Sequence, residues 1–233
     1  VLIDLPKDLA SSRREYAPCG RRSPLVRPPL TGDLGAAGEL LSASFRPVLY
    51  VGGGAARSGA APFVRRFARK HRMPVTTTLM ALGVYPTDDP LFLGMPGMHG
   101  TRRANLALRD ADLLVAVGAR FDDRVTGKAS GFSPRSRRIH LDVDPCEPGK
   151  LCRADVRIVG DARDGLEALL SLDGGPDTLA WLAALEQHPR VPSLTGAAPD
   201  AAVDPARVFE VLNRLLPGDA LVATDVGQHQ MWA

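Results

Sequence analysis

Five short apolar segments, separated by stretches with helical periodicity, constrain the fold of this 233-residue chain more than any other feature. The segments are residues 47–51, 74–78, 112–117, 138–143 and 156–159. Their apolar residues are continuous rather than alternating, which is typical of parallel strands in a sheet covered on both faces. The helices that would supply this cover are predicted over residues 58–71, 101–109 and 162–172. The pattern therefore predicts an α/β fold with a doubly wound parallel sheet, whose core spans residues 37–172.

The regions that flank the predicted sheet have a different composition. Residues 11–36 combine Ser, Arg, Pro and Gly, as linkers do. Residues 173–204 are predicted to be a second linker region that contains one helix, near 177–187. A helix over 205–216 and a strand over 220–224 then resemble the opening unit of another α/β domain.

Both ends of the chain lead us to expect a segment of a longer protein. The stretch Val1–Pro6 has the pattern of a buried strand from its first residue, and the chain stops at Ala233 without a polar tail. Complete domains usually end in frayed polar segments instead. We therefore expect residues 1–10 to be the end of one domain and residues 205–233 to be the truncated start of another.

Composition argues against several classes of protein. Hydrophobic residues make up 45% and charged residues 24%, which are ordinary globular values. No run approaches the ~18 apolar residues of a membrane-spanning helix. No targeting pattern opens the chain, so we expect no membrane partner and a cytoplasmic, bacterial-type location. The net charge of +3 is small and its basic residues are scattered, so we expect no nucleic-acid partner.

The cysteines indicate neither a disulfide framework nor a zinc site. There are three cysteines, an odd number: Cys19, Cys146 and Cys152. No two of them are separated by exactly two residues, which is the usual spacing of paired zinc ligands. This usage favours a reducing compartment.

Glycines follow the first predicted strand, where a parallel sheet would bind a ligand. Gly52, Gly53 and Gly54 could let backbone amides approach a pyrophosphate at the start of the next helix. The run does not match the dinucleotide fingerprint, because Arg57 occupies the position of the third glycine. It is not a P-loop either, because Ala60 stands where lysine is required. A tight strand-to-helix turn explains these glycines equally well.

Charged residues follow the strand predicted over 112–117. Gly118, Arg120, Asp122 and Arg124 lie on one loop, in which two arginines and two aspartates interleave. Arginine can bind phosphate through two parallel hydrogen bonds, and aspartate can accept hydrogen bonds from a ribose or a ring N–H. The alternative is a solvated loop whose charges pair with one another.

Acidic residues also follow the last two predicted strands. Asp142 would suit a ribose hydroxyl, as in other nucleotide-binding sheets. Gly160 and Asp161 come after the final strand, although Asp161 alone is better explained as the N-cap of a helix. Because the carboxyl ends of parallel strands meet at one edge, these residues together predict a nucleotide-binding edge.

A glycine- and methionine-rich loop over residues 94–100 lies within the long predicted loop 83–100. Methionine side chains such as Met98 and bare glycine backbone could line a flat aromatic ring. His99 is either a ligand contact or a structural histidine. No acid/base pair, nucleophilic triad or metal-ligand cluster can be assembled from the sequence, so we expect no catalytic and no metal-binding residue.

Several stretches, in the same order along the chain, resemble the large catalytic subunits of acetolactate synthase (acetohydroxyacid synthase), a family of thiamine diphosphate-dependent enzymes. The most specific stretches are RFDDRVTGK at residues 120–128 and DVGQHQMW at residues 225–232. The others are LPKD at 5–8, YVGGG at 50–54, TLMALG at 78–83 and GMHGT at 97–101. The match is poorest over residues 11–35 and 173–204.

The resemblance implies a three-domain parent enzyme. Its N-terminal domain binds the pyrimidine ring and supplies an activating glutamate, its Rossmann-like central domain binds FAD, and its C-terminal domain binds the diphosphate of thiamine diphosphate through Mg²⁺. The chain would contain the end of the first domain, all of the second and the start of the third. The glutamate would lie before Val1 and the Mg²⁺ motif beyond Ala233, so we expect this segment to be inactive alone.

The resemblance also implies which residues contact the cofactors. Carried over residue by residue, it places FAD against Gly52, Gly53, Gly54, Thr78, Leu79, Met80, Met98, His99, Gly118, Arg120, Asp122, Arg124, Val125, Asp142, Val143, Gly160 and Asp161. It places thiamine diphosphate against Val226, Gly227, Gln228 and His229.

For the parent enzyme, the resemblance implies decarboxylation of pyruvate and transfer of the two-carbon unit to a second 2-oxo acid, in branched-chain amino-acid biosynthesis. Thiamine diphosphate supplies the electron sink for this chemistry, and FAD performs no net redox step. The implied partners are 2-oxo acids, further copies in a homodimer or tetramer, and a regulatory subunit. Two alternatives stay open: another thiamine diphosphate-dependent carboligase or decarboxylase, and a non-catalytic nucleotide-binding module.

Overall fold

A computed structural model shows a seven-stranded sheet covered by helices on both faces. It describes residues 4–13, 15, 28–188, 205–218 and 220–232. The first three residues of the strand predicted at Val1–Pro6, Cys19, and residues 189–204 of the second predicted linker lie outside the described residues.

The order of the strands confirms the predicted α/β fold with a doubly wound sheet. The strands are β1 (Thr31–Gly32), β2 (Pro47–Val51), β3 (Val75–Thr77), β4 (Phe92–Gly94), β5 (Leu113–Val117), β6 (Arg137–Asp142) and β7 (Val156–Val159). They lie in the order β1-β7-β6-β5-β2-β3-β4. All neighbouring pairs are parallel except that of β1 with β7, at one edge. From β2 the chain adds β3 and β4 toward one edge of the sheet. It then returns to β5, on the other side of β2, and adds β6 and β7 toward the opposite edge. The order therefore reverses between β2 and β5.

Several of the helices cover the sheet. They are α1 (Lys7–Ala10), α2 (Leu34–Ser42), α3 (Gly53–Arg57), α4 (Ala61–Lys70), α5 (Arg102–Asp110), α6 (Asp123–Thr126), α7 (Ala162–Leu170), α8 (Leu179–Glu186), α9 (Pro205–Leu215) and α10 (Gln228–Trp232). Helices α2, α4 and α7 pack on one face of the sheet, and α5 and α8 pack on the other. No helix in the described part of the chain is both long enough and apolar enough to span a membrane.

The central strands are apolar along their whole length because both of their faces are buried. Every residue of β2 and β5 is buried. In β2, Leu49 and Val51 join the core beneath α4 and α7, whereas Val48 and Tyr50 join the core beneath α5 and α8. Each fully buried side chain of this size contributes about 1.5–3 kcal/mol to folding.

Short polar contacts fix the ends of the covering helices. Asp33, Thr101 and Asp161 are the N-caps of α2, α5 and α7, and each accepts a hydrogen bond from an amide in the first turn. At the other end, the ammonium group of Lys70 in α4 donates to the Leu170 carbonyl oxygen at 2.8 Å. This bond connects α4 to the carboxyl end of α7.

Some elements differ from the sequence prediction. The helix predicted over residues 58–71 is α4, which begins only at Ala61 because Gly59 before it has a φ of +69°, whereas the short helix α3 lies before the predicted range. Strand β4 lies inside the predicted loop 83–100, where glycines obscure the strand pattern. Strand β1 and the start of α2 lie inside the range predicted to be linker, residues 11–36.

The strand predicted over residues 220–224 is not formed. Residues 220–225 carry neither helix nor strand, and Leu221 is fully exposed. No strand among the described residues pairs with this segment, and a strand needs a partner for its backbone hydrogen bonds. The prediction was wrong for this chain because strand propensity does not supply that partner.

A carboxylate joins the two central strands at the amino edge of the sheet. Asp112, directly before β5, accepts hydrogen bonds from the Ser44 hydroxyl group and from the amides of Phe45 and Arg46, both amides at 2.9 Å. Because Arg46 directly precedes β2, these bonds fix the start of β2 beside the start of β5.

We expect Asp112→Ala to lower the free energy of unfolding by about 1–3 kcal/mol, because it leaves the buried Ser44 hydroxyl group and two backbone amides without this acceptor. The matched control is Asp110→Ala, since Asp110 forms an exposed ion pair with Arg109. Urea unfolding followed by circular dichroism measures both. The control is expected to unfold at nearly the wild-type midpoint, and equal midpoints for the two variants would contradict this role of Asp112.

Candidate functional site

The predicted FAD contacts lie in loops at the carboxyl edge of the sheet. Residues 52–54 follow β2, residues 78–80 follow β3, and residues 118–125 follow β5. Asp142 is the last residue of β6 and Val143 follows it, whereas residues 160–161 follow β7. The reversal of strand order between β2 and β5 makes the centre of this edge a topological switch point, where open α/β sheets bind their ligands.

The loops after β2 and β5 touch through their backbones. The Gly52 amide donates to the Val117 carbonyl oxygen at 2.9 Å, and the Gly54 amide donates to the Gly118 carbonyl oxygen at 3.0 Å. A Cβ atom on Gly52 would collide with the Gly118 carbonyl group, and a Cβ atom on Gly118 would lie 2.6 Å from the Ala55 nitrogen. The tight-turn alternative therefore explains Gly52 and Gly54, whose amides are used within the fold.

Gly53 differs from its two neighbours. Its amide makes no hydrogen bond to the rest of the described chain, and it is the first residue of α3. A Cβ atom on Gly53 would lie 2.9 Å from the Cβ atom of Met80. The Thr78 amide in turn donates to the Val51 carbonyl oxygen at 2.9 Å, so the turn after β3 lies beside the glycine loop.

Apolar side chains are exposed along this edge. The exposed fractions are 46% for Leu79, 64% for Met80, 67% for Met98 and 53% for Val143. They contrast with the strands below, which are buried. A group of exposed apolar side chains on one edge is typical of a binding surface.

The loop over residues 118–124, here called the Arg–Asp loop, presents its charges to solvent. Arg120, Asp122 and Arg124 are all exposed. The Asp122 carboxylate accepts from the Arg124 amide at 3.1 Å as the N-cap of α6. Arg124 approaches Asp123 only at 3.9 Å, and Arg120 forms no ion pair with any residue that the structure describes. The alternative of mutually paired charges therefore accounts for little of this loop.

The methionine-rich loop contacts the Arg–Asp loop. The Met98 amide donates to the Arg124 carbonyl oxygen at 3.1 Å, and a Cβ atom on Gly97 would lie 2.5 Å from that same oxygen. Val125 is half-buried against the core beneath α5. His99 is exposed. Met98 thus lies beside Arg124, although the two residues are distant in sequence.

The exits of β6 and β7 are also adjacent. The Gly160 amide donates to the Asp142 carbonyl oxygen at 2.9 Å. The Asp142 side chain is 9% exposed and accepts from the Asp144 amide at 3.0 Å; burial raises the pKa of this carboxyl group, and that hydrogen bond opposes the rise. Asp161 accepts from the Arg163 amide at 2.9 Å, as the cap interpretation requires.

The residues predicted to contact thiamine diphosphate form a separate group. Val226 is 86% exposed and Gly227 is partly exposed. Gln228 and His229 are exposed residues of α10, which contacts α9. Their role stays a prediction.

A cavity of about 510 Å³ lies at the opposite, amino edge of the sheet. Arg46, Asp112 and Trp181 are among its lining residues. Asp112 and Trp181 already bond to the backbone at the start of β2, which gives them a structural role. We place the candidate site at the carboxyl edge because the switch point, the exposed apolar side chains and Arg120, which has no ion-pair partner among the described residues, coincide there. The described residues contain no cluster of three side chains able to hold a metal ion.

An aromatic cluster beneath the Arg–Asp loop is not predicted from the sequence. Phe121, 2% exposed, has its ring 5.4 Å from that of Tyr50, 5.9 Å from that of Phe132 and 5.0 Å from that of His140. The signal available in the sequence is a phenylalanine between charged residues, which indicates a buried anchor in an exposed loop.

Residues 34–169 match the family model for the central domain of thiamine pyrophosphate enzymes, thiamine pyrophosphate being another name for thiamine diphosphate. The chain is 43% identical over 243 residues to an acetolactate synthase large subunit of Parasynechococcus marenigrum. It is 42% identical over 245 residues to the chloroplastic acetolactate synthase 1 of Zea mays, and 41% identical over 243 residues to an acetolactate synthase large subunit of Corynebacterium glutamicum.

Each of these matches covers 100% of this chain but only 38–39% of the relative. The chain thus spans about two fifths of the length of these relatives. The resemblance stated from the sequence motifs is confirmed, and the matched range begins with α2 and ends within α7. The chain belongs to the thiamine pyrophosphate enzymes, and residues 34–169 are the central domain of that family.

Proposed function

We propose that the carboxyl edge of this sheet binds FAD within a segment of acetolactate synthase. The observation that carries the proposal is the mutual contact of the loops over residues 52–54, 78–80, 97–98 and 118–124 at the switch point. Nucleotide cofactors of open α/β sheets bind at this place. The similarity to acetolactate synthases over the whole chain supports the same conclusion.

The apolar part of the edge fits the ring system of a flavin. Leu79, Met80 and Met98 are exposed although they are large and apolar. Methionine is flexible and polarisable, and it packs well against aromatic rings. A flat ring bound there would remove this surface from water.

The polar part of the edge fits the remainder of FAD. Arg120 and Arg124 are the groups best suited to the diphosphate, because guanidinium groups bind phosphate oxygens in pairs. The Gly53 amide offers a further donor. Asp142, at the end of β6, would accept from a ribose hydroxyl.

For the parent enzyme we propose decarboxylation of pyruvate and transfer of the two-carbon unit to a second 2-oxo acid, in branched-chain amino-acid biosynthesis. Thiamine diphosphate, held with Mg²⁺, would supply the electron sink. In this chain, residues 226–229 would contact thiamine diphosphate, whereas the Mg²⁺ motif would lie in a part of the parent enzyme outside it. Homodimerisation or tetramerisation, a regulatory subunit and a cytoplasmic location remain part of this proposal.

A related thiamine diphosphate-dependent carboligase or decarboxylase is the alternative within the same family. The RFDDR sequence of residues 120–124 favours acetolactate synthase. Product analysis of the parent enzyme with pyruvate distinguishes them, because the acetolactate synthase reaction yields a coupled 2-hydroxy-3-oxo acid rather than an aldehyde.

The flavin site is tested by titrating the chain with FAD and following the quenching of flavin fluorescence. We expect Arg120→Ala and Arg124→Ala each to weaken FAD binding about tenfold or more, because each removes a charge-assisted hydrogen bond. The matched control is Arg137→Ala, at the amino edge of β6, where the side chain pairs with Asp155. Unchanged FAD affinity in both loop variants, or no binding by folded wild-type chain, would contradict the proposed site.

We expect the chain alone to consume no pyruvate when FAD, thiamine diphosphate and Mg²⁺ are supplied. The resemblance places the activating glutamate and the Mg²⁺ motif in parts of the parent enzyme that this chain does not include. The measurement is loss of pyruvate over time, with full-length acetolactate synthase of Corynebacterium glutamicum as the positive control. Turnover by the chain alone would show that its own residues complete an active site.

A further inference from the structure

The Arg–Asp loop leaves the sheet in an unusual backbone conformation. Gly118 has a φ of +60° and Phe121 has a φ of +54°, so a non-glycine residue adopts the left-handed region. The Gly118 amide still donates to the Leu141 carbonyl oxygen of β6 at 2.8 Å. From Ala119 to Phe121 the backbone makes no hydrogen bond to other backbone groups in the described part of the chain. Side chains must therefore hold this segment in place.

The ring of Phe121 is one of these holding groups. It is 2% exposed, although the residues on either side of it are exposed or carry charge. His140 meets this ring edge-on, with an interplanar angle of 86°. The His140 side chain thus lies directly beneath the loop that carries Arg120.

A hydrogen bond from His140 is the second holding interaction. Its Nε2 atom lies 2.9 Å from the Ala119 carbonyl oxygen, and the residue is 1% exposed. A carbonyl oxygen can only accept, so Nε2 carries the proton. Burial lowers the pKa of His140, while Asp142 and the Ala119 carbonyl raise it by a smaller amount. Burial thus favours the neutral ring, and its Nδ1 atom has no partner among the described residues.

We propose that His140 is a positioning residue for the flavin site: its Nε2–H group holds the Ala119 carbonyl oxygen and so fixes where Arg120 and Arg124 are presented. The inference rests on the proposed FAD site, and it assigns to a residue of the sheet interior a role in the affinity of that site. His140 touches no ligand itself. It acts through the loop above it.

Two substitutions separate the hydrogen bond from the packing. His140→Phe keeps an aromatic ring against Phe121 but removes the donor. His140→Gln removes the ring but keeps an N–H donor at a similar distance from the backbone. The matched control is His71→Phe, because His71 is also a buried histidine, 4% exposed, but packs against Phe67 in α4.

Flavin fluorescence quenching gives the FAD dissociation constant of each variant, and urea unfolding reports its stability. We expect His140→Phe to raise the dissociation constant about tenfold, and His140→Gln and His71→Phe to stay within about threefold of wild type. Wild-type affinity in folded His140→Phe, or an equal loss in His140→Gln, would overturn the proposal.

A second measurement needs no flavin and so distinguishes failure of this inference from failure of the FAD site. In the ligand-free chain the Gly118 amide donates to the Leu141 carbonyl oxygen, directly before the Ala119 carbonyl group that His140 holds. We expect hydrogen exchange of the Gly118 amide to be about tenfold faster in His140→Phe than in wild type, and restored in His140→Gln. We also expect nitrogen NMR of the wild-type ring to show the proton on Nε2. A proton on Nδ1 instead, or unchanged exchange in His140→Phe, would overturn the role of His140 even where FAD binds.

Discussion

The candidate site depends on one close approach, that of the backbones after β2 and β5 at the centre of the sheet. Gly52, Gly54 and Gly118 are in contact where any side chain would collide with the opposite loop. This contact joins the loops after β2 and β5 at the switch point. The turn after β3 and the Arg–Asp loop therefore lie at the same edge of the sheet. The glycines therefore shape the site, and Gly53 is the member of the run whose amide is available to a ligand.

Much of the fold could be predicted because its determinants are local. The central strands are continuous apolar runs since both of their faces are buried, and α7 begins after Asp161, which the sequence predicts as an N-cap. Elements that depend on distant partners were not predicted in the same way. β4 is three residues long and exists because β3 lies beside it, whereas residues 220–224 have strand propensity but no pairing strand in the described chain.

The site was predicted in part for the same reason. Glycines, arginines and aspartates after strands can be read from the sequence, and parallel topology brings them to one edge. The contact of Gly97 and Met98 with the Arg–Asp loop could not be derived from spacing, since it joins segments far apart in the chain. His140 had the pattern of an ordinary strand residue, and only the hydrogen bond to Ala119 and the ring of Phe121 connect it to the loop.

The central claim is that the two edges of this sheet have different tasks: the amino edge is a structural junction, and the carboxyl edge binds the cofactor. Hydrogen exchange of the chain, measured with and without saturating FAD, tests it most directly. The account predicts slower exchange in residues 52–54, 78–80, 97–99 and 118–125, with little change in residues 44–46 and 110–112. Protection confined to the amino edge, or spread equally over both edges, would contradict it.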